Sequence, residues 1–360
     1  MKILIVFNHP APYKVALFNG LSKSHDVHVI FERSKEKDRH DDFYNEKKYN
    51  FKVHFIKGIN IGTFNHFSFG VKRHLKKHQY DLIIMNGYST FTEMIALNYL
   101  KRKKINYAFY INGGIAKNET KLKTKIKRHF LQGAFLYFSP AQEASDYLVH
   151  YGVDQKLIHH YPYSTVYEKD IVTRKLSQQT KKAFWQNENI TGENFTVCVT
   201  SFIKRKNNLC LINAWEDIDE KHPLVLIGDG KRKRLYEKTI KKLKLRHVHL
   251  LPFMSRDLLF NYLKHADNAV YLSNFDIYGH VINEALAHGL NVLTNNNMVA
   301  ARHLIRDTKN GLILNDGDDL TEKLEVLFKS NFWNEATKTA KSNTIEKSLE
   351  RHLKIIGTIK

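Results

Sequence analysis

Short continuous apolar runs, each closed by a polar or glycine-bearing turn and followed by apolar residues at three- and four-residue spacing, recur along this chain. Runs of that kind suit strands buried on both faces, and the spacing that follows them suits helices. Strands are predicted over Lys2 to Phe7, Val27 to Phe31, Phe51 to Ile56, Asp81 to Met85, Ala108 to Ile111 and Phe135 to Phe138. Helices fall at Val15 to Leu21, Val71 to His78, Thr90 to Arg102, Lys117 to Arg128 and Ala141 to His150. Thr165 to Asn194 is polar and charged, so a domain of 1–165 is expected to end there, with 166–194 as linker. The alternation then restarts with Phe195 to Phe202, Leu209 to Trp215, Leu224 to Ile227, Val248 to Leu251, Ala269 to Leu272 and Asn291 to Thr294, giving a second domain of 195–335. Strands alternating with helices predict an α/β fold of two Rossmann-like domains. The first turn, Asn8 to Lys14, has no GxGxxG, which gives no support for a dinucleotide.

Composition narrows the class without naming a function. A 360-residue chain with 42% hydrophobic residues can bury two ordinary cores. Two cysteines without metal-ligand spacing fit a reducing compartment, and no apolar run is long enough to span a bilayer. The expected location is therefore cytoplasmic, with peripheral attachment to the inner face of the cell membrane left open. A net charge of +21 attracts phosphorylated ligands, anionic lipid or nucleic acid alike. Lys117 to Arg128 continues that theme as a basic amphipathic helix, with Leu122, Ile126, Phe130 and Leu131 read as one face.

The most informative stretch is Ala269 to Asn297, which reads as strand, acidic loop, helix and strand. Its loop lies at the carboxyl end of a strand and its helix starts at Gly279, where unpaired N–H groups and the helix dipole favour a phosphate. Asp276 stands before that start and Glu284 just over one turn inside the helix, so two carboxylates flank the phosphate position. They can accept hydrogen bonds from sugar hydroxyls while the amides take phosphate oxygens. A second loop of this type, Ile203 to Asn208, carries Arg205 and Lys206 after a strand and before a helix.

The pair Asp276 and Glu284 resembles the acidic, seven-residue, acidic signature of retaining glycosyltransferases with the GT-B fold, family 4 in particular, usually written Glu-Gly-Phe-Gly, four residues, Glu-Ala. Here Asp276-Ile277-Tyr278-Gly279 and Glu284-Ala285 stand at its two halves, with Asp for the first Glu and Ile277 for a glycine. Lys206 matches the lysine that neutralises the donor diphosphate in that family, Arg205 assists it, and Ser201 stands where many members carry arginine. Asn112-Gly113 occupies the place of a His-Gly turn on the acceptor and sugar side. The Phe253 to Ser255 loop, with Met254, corresponds to the one beside the nucleotide base.

What the resemblance implies is two domains facing a cleft, with the closing helix at 344–360 packed back on the first. It also implies transfer with retention from a nucleotide-sugar, expected to be a UDP-sugar, to a glycan or lipid-linked acceptor in cell-surface polysaccharide synthesis. Asp276 and Glu284 are the catalytic pair, and Ser201, Arg205, Lys206, Met254, Tyr278, Gly279, His280 and Val281 the donor set. No cofactor and no metal are expected. Rival chemistry is weaker: His280, Glu284 and His288 share a helix face without His-Glu-x-x-His order, and Asp217-Ile218-Asp219 and Asp316-Gly317-Asp318 are loose Asp-x-Asp matches. The runner-up function is a basic nucleic-acid-binding protein without catalysis. It lacks an aromatic-basic RNA signature or zinc-finger spacing, so nucleic acid is not the expected partner.

Overall fold

The computed structural model describes residues 1–36, 44, 48–62 and 65–359. The chain forms two compact units, one of Met1–Tyr163 with Ile345–Lys360, the other of Ser164–Thr344.

In the first unit the strands are β1 (Lys2–Phe7), β2 (Asp26–Phe31), β3 (Lys52–Phe55), β4 (Ile59–Ile61), β5 (Asn65–Phe67), β6 (Leu82–Asn86), β7 (Ala108–Tyr110), β8 (Leu136–Ser139) and β9 (Ile158–His160). Strands β4 and β5 form a separate antiparallel pair. The others make one parallel sheet in the order β3-β2-β1-β6-β7-β8-β9. Strand β1 is central and buried almost end to end, as a strand covered by helices on both faces must be. The order reverses between β1 and β6, and in such sheets ligands bind at the carboxyl ends of the strands where it reverses.

The second unit repeats the plan with β10 (Thr196–Val199), β11 (Leu224–Ile227), β12 (Val248–Leu251), β13 (Asn268–Tyr271), β14 (Asn291–Asn295) and β15 (Leu312–Leu314). Its parallel sheet runs β12-β11-β10-β13-β14-β15, so the reversal falls between β10 and β13.

Several expected boundaries change. The segment 166–194 is folded into the second unit and is not a linker. Its helix Gln178–Asn187 buries Trp185, whose indole N–H donates to the His265 carbonyl at 2.9 Å and whose ring stacks on Phe195. Lys181, also buried, donates to Asp267 at 2.9 Å and to the Ala266 carbonyl at 2.6 Å. A helix anchored by one indole and one paired lysine shows no apolar periodicity, so the pattern hides it.

The strand expected over Phe195 to Phe202 stops at Val199. Beyond it the backbone turns to lie against Gly228, at φ +152°, where a Cβ would sit 1.9 Å from the Thr200 carbonyl oxygen; only glycine permits that approach. His159 and His160 belong to edge strand β9. The basic helix runs Lys121–Leu131, and its apolar residues are not covered alike: Phe130 and Leu131 are buried, whereas Leu122 and Ile126 are exposed.

The closing helix Ile345–Gly357 belongs to the first unit. There His352 is buried, its ring parallel to those of Phe138 and Tyr110 at 5.0 and 5.6 Å, and hydrogen-bonded to the Tyr110 hydroxyl. Among the described residues no helix is long and apolar enough to cross a membrane.

Candidate functional site

The loops after β10 and β13, at the reversal point of the second sheet, come together through residues 70 positions apart: the Lys206 ammonium donates to the Asp276 carboxylate. Arg205 reinforces the junction, donating to the Phe275 carbonyl at 2.7 Å and lying 3.4 Å from Asp276, while the Asn274 amide donates to the Arg205 carbonyl at 2.9 Å. Burial alone would raise the Asp276 carboxyl. The Lys206 charge and hydrogen bond, with Arg205, outweigh that and hold it below the ordinary aspartate value.

The Asp276 loop is also tied to the turn and helix that follow β14. The Asp276 amide donates to the Asn297 carbonyl at 2.9 Å and the Ala300 amide to the Tyr278 carbonyl at 2.7 Å. Gly279 ends the loop at φ +98°, a left-handed conformation that a side chain would strain, and a Cβ there would fall 2.5 Å from Met298 Cε. Helix His280–Ala287 begins immediately after it, so the N–H groups of its first turn sit beside the Lys206 ammonium's loop.

Glu284 lies just over one turn into this helix. Burial raises its carboxyl above the ordinary glutamate value, moderated by a hydrogen bond from the Thr165 hydroxyl at 2.6 Å and by the Arg256 charge. Arg256 in turn donates to the Thr165 carbonyl at 3.2 Å and to Asp170, and lies 4.0 Å over the Phe260 ring. Thr165 and Arg256 are thus positioning residues for Glu284 that sequence reasoning missed. Thr165 stood at the expected end of the first domain and Arg256 opens a helix with no motif, so no local signal marks them.

Not every expected residue enters the cluster through its side chain. Tyr278 is buried and its ring lies 4.9 Å from that of His280, so Tyr278 can face a ligand only through its backbone. His280 and Val281 are half-buried in the first helical turn. Ser201 is exposed directly beyond β10, its carbonyl accepting from Asn208 Nδ2 at 3.3 Å. Met254, half-buried, follows edge strand β12, two strands away from β10. His288, the third member of the rival histidine set, has Nδ1 2.7 Å from the Glu284 carbonyl oxygen, and burial lowers its pKa to about 4. In each Asp-x-Asp match the second aspartate is engaged locally, Asp219 by the Lys221 amide at 2.9 Å and Asp318 by the Asn315 amide at 2.9 Å.

At the reversal point of the first unit, Asn112 Nδ2 donates to Asn86 Oδ1 at 2.7 Å, and Gly113 continues the turn after β7. Beside them lies a buried acidic pair not foreseen from the sequence. Glu32 accepts from the Thr90 hydroxyl at 2.6 Å, and Glu93 from the Ser89 and Thr90 amides at 2.6 and 3.1 Å. Burial, then the neighbouring Glu93, pushes Glu32 up to about 9; burial pushes Glu93 up to about 7. Thr90 and Glu93 form a capping box, and the Thr-x-x-Glu spacing was available in the sequence as its signal.

Comparison with known proteins covers both units. Residues 179–347 match the family described as Glycosyl transferases group 1, and residues 14–162 match Glycosyltransferase Family 4. An uncharacterized glycosyltransferase of Methanocaldococcus jannaschii is 30% identical over 139 residues, 38% of this chain and 39% of its own length. Among solved structures, Anabaena HepE in complex with UDP superposes with a TM-score of 0.77 at 15% identity, covering 99% of this chain and 100% of HepE. WaaG, a glycosyltransferase involved in lipopolysaccharide biosynthesis, does so with 0.68 at 17%, covering 99% and 100%. At these identities the likeness speaks for the fold, which is GT-B.

Proposed function

The chain belongs to the group 1 type glycosyltransferases of the GT-B fold, and from that premise we propose that it moves a sugar from a nucleotide-sugar to an acceptor hydroxyl with retention of anomeric configuration. The observation that carries the proposal is the meeting of the Lys206 and Asp276 loops at the β10/β13 reversal point, directly before the start of a helix. The cation, the Asp276 carboxylate and the first N–H groups of the helix that carries Glu284 are thereby brought to one end of the sheet.

As the glycosidic bond of the donor breaks, negative charge gathers on the nucleotide diphosphate and the sugar becomes oxocarbenium-like. Lys206, supported by Arg205, and the amides of Gly279 to Val281 stabilise the leaving diphosphate, an electrostatic contribution made before the bond breaks and strengthened as it does. Asp276 and Glu284 accept hydrogen bonds from donor hydroxyls and orient the ring. No side chain is assigned as a covalent nucleophile, and the proposal includes no metal or cofactor.

A UDP-sugar is the donor we favour, supported by the HepE complex with UDP. The acceptor is a glycan or lipid-linked glycan in cell-surface polysaccharide synthesis, supported by the likeness to WaaG, and the protein works in the cytoplasm or on the inner face of the membrane. Asn112 and Gly113 contribute to the acceptor and sugar side. The test is a screen of nucleotide-sugars, in excess chelator, for release of nucleotide diphosphate, followed by NMR of the product's anomeric proton. Release with at least one donor and a retained configuration are expected. A strict need for a divalent ion, or inversion, would contradict the mechanism.

A further inference from the structure

Four histidines of the first unit meet ring to ring. His28 lies on β2 and His54 on the neighbouring edge strand β3, their rings stacked at 5.8 Å. His54 is 4.8 Å from His74 of helix Gly70–Lys77, and His74 is 4.7 Å from His78, which closes that helix. Tyr80, ahead of β6, joins them: its hydroxyl bonds to His74 Nε2 at 2.6 Å and its ring lies 5.4 Å from that of His28. The cluster has little with which to neutralise a positive charge. Among the described residues the carboxylate bonded to it is Asp26, 3.3 Å from His28 Nε2, and Lys52 already donates to Asp26 at 3.0 Å. Lys2 adds another cation, 5.1 Å over the Tyr80 ring. The helix GVKRHLKK contains no acidic residue, and His54 Nε2 is buried without a hydrogen-bond partner. Burial is the main cause that holds His28, His54 and His74 below the ordinary histidine value; at His54 and His74 the other imidazoles add to it, and His74 falls to about 4.

We propose that His28, His54, His74 and His78 form an acid-sensitive latch: neutral, they hold helix Gly70–Lys77 and β3 on the sheet, and protonated, they repel one another and release both. Adjacent imidazolium rings cannot all be matched by one carboxylate that Lys52 already holds. The sign follows from linkage. His28, His54 and His74 bind protons less tightly folded than unfolded, so their contribution is full above the ordinary histidine range, about 6.5, and is lost as pH falls toward about 4 for His74. The buried Glu32 and Glu93 work the other way, since their carboxyls are raised, and cannot produce this loss. Strand β3 is outermost in the order β3-β2-β1-β6-β7-β8-β9, so its release leaves the rest of the sheet paired and turns β2 into the edge, open to pairing with another strand. The inference does not depend on the sugar transfer proposed above.

The test is hydrogen–deuterium exchange of the full chain at about pH 7.5 and about pH 5, expressed as protection relative to the free-peptide rate at each pH. With its value near 4, His74 alone should lower the protection of helix Gly70–Lys77 and β3 by about thirtyfold over that range, and the other rings add to the loss. Strands β1 and β6 of the same unit should keep their protection. His54→Phe with His74→Phe keeps aromatic rings at the two middle positions and removes their ionisation, so most of the pH dependence should vanish. Should that variant not fold, NMR titration of the wild-type imidazole protons gives the second measurement, with midpoints for His54 and His74 expected below the ordinary histidine value. Wild-type protection that is the same at both pH values overturns the latch, as does an equal loss in β1 and β6, which would mean that the unit opens as a whole. A folded double variant that loses protection as steeply as wild type, or midpoints of His54 and His74 at or above the ordinary value, would equally overturn it.

Discussion

Lys206 stands at the junction on which the donor site depends, and its present partner sharpens what its removal should do. With the ammonium bonded to Asp276, a diphosphate arriving there shares or replaces that partner. Lys206→Ala should weaken UDP binding by about 1.5–3 kcal/mol, the scale of a charge-assisted hydrogen bond, measured by titration calorimetry. Asp276→Asn separates the two roles: free UDP should bind as well as or better than to wild type, because Lys206 loses a competing anion, whereas turnover of the nucleotide-sugar should fall. Equal loss of both would mean that Asp276 serves only to hold the loop. At this scale much of the site was legible. Lys206, Asp276 and Gly279 were each marked by a strand before them and a helix after them, and Glu284 by its place just over one turn inside that helix. Thr165 and Arg256 were not, because a residue that orients another through space leaves no spacing along the chain. Nor could spacing reveal that the Tyr278 side chain turns into the protein.

Among the elements, strands buried on both faces announced themselves, and the order β12-β11-β10-β13-β14-β15 brings the two basic and acidic loops to one place. Elements stabilised by a few polar anchors did not. Helix Gln178–Asn187 relies on Trp185 and Lys181, and the β4–β5 pair exposes Ile59 and Ile61, so neither carries the pattern of a buried face. The buried Glu32 and Glu93 give the first unit a pH dependence whose sign follows from linkage. Both carboxyls bind protons more tightly folded than unfolded, so their contribution to stability is fullest below the ordinary glutamate range and declines as pH rises through about 7 for Glu93 and about 9 for Glu32. Glu32→Gln removes the main ionisation and keeps an acceptor for Thr90. Its melting temperature relative to wild type should rise steadily between pH 5 and pH 9; a constant difference across that range would show that Glu32 does not titrate there.

On the scale of the whole molecule, the chain leaves its first unit at Tyr163, builds the second, and returns at Ile345 to complete the first. His352 is the anchor of that return, so His352→Ala should destabilise the first unit by about 2–4 kcal/mol through the lost ring and the lost hydrogen bond to the Tyr110 hydroxyl. His352→Phe, which keeps the stacking, should recover part of that loss in denaturant unfolding; no difference between the two would discount the rings. The charge of +21 is also a property of the whole chain, shared by the donor loop, the exposed helix and both units, which is why composition alone left phosphate, lipid and nucleic acid undecided. Release of nucleotide diphosphate from the preferred nucleotide-sugar, compared between wild type and Glu284→Ala, tests the central claim most directly. The account predicts turnover by the wild type and a loss of about a hundredfold or more in a variant that remains soluble and melts cooperatively. Undiminished release by Glu284→Ala would contradict it.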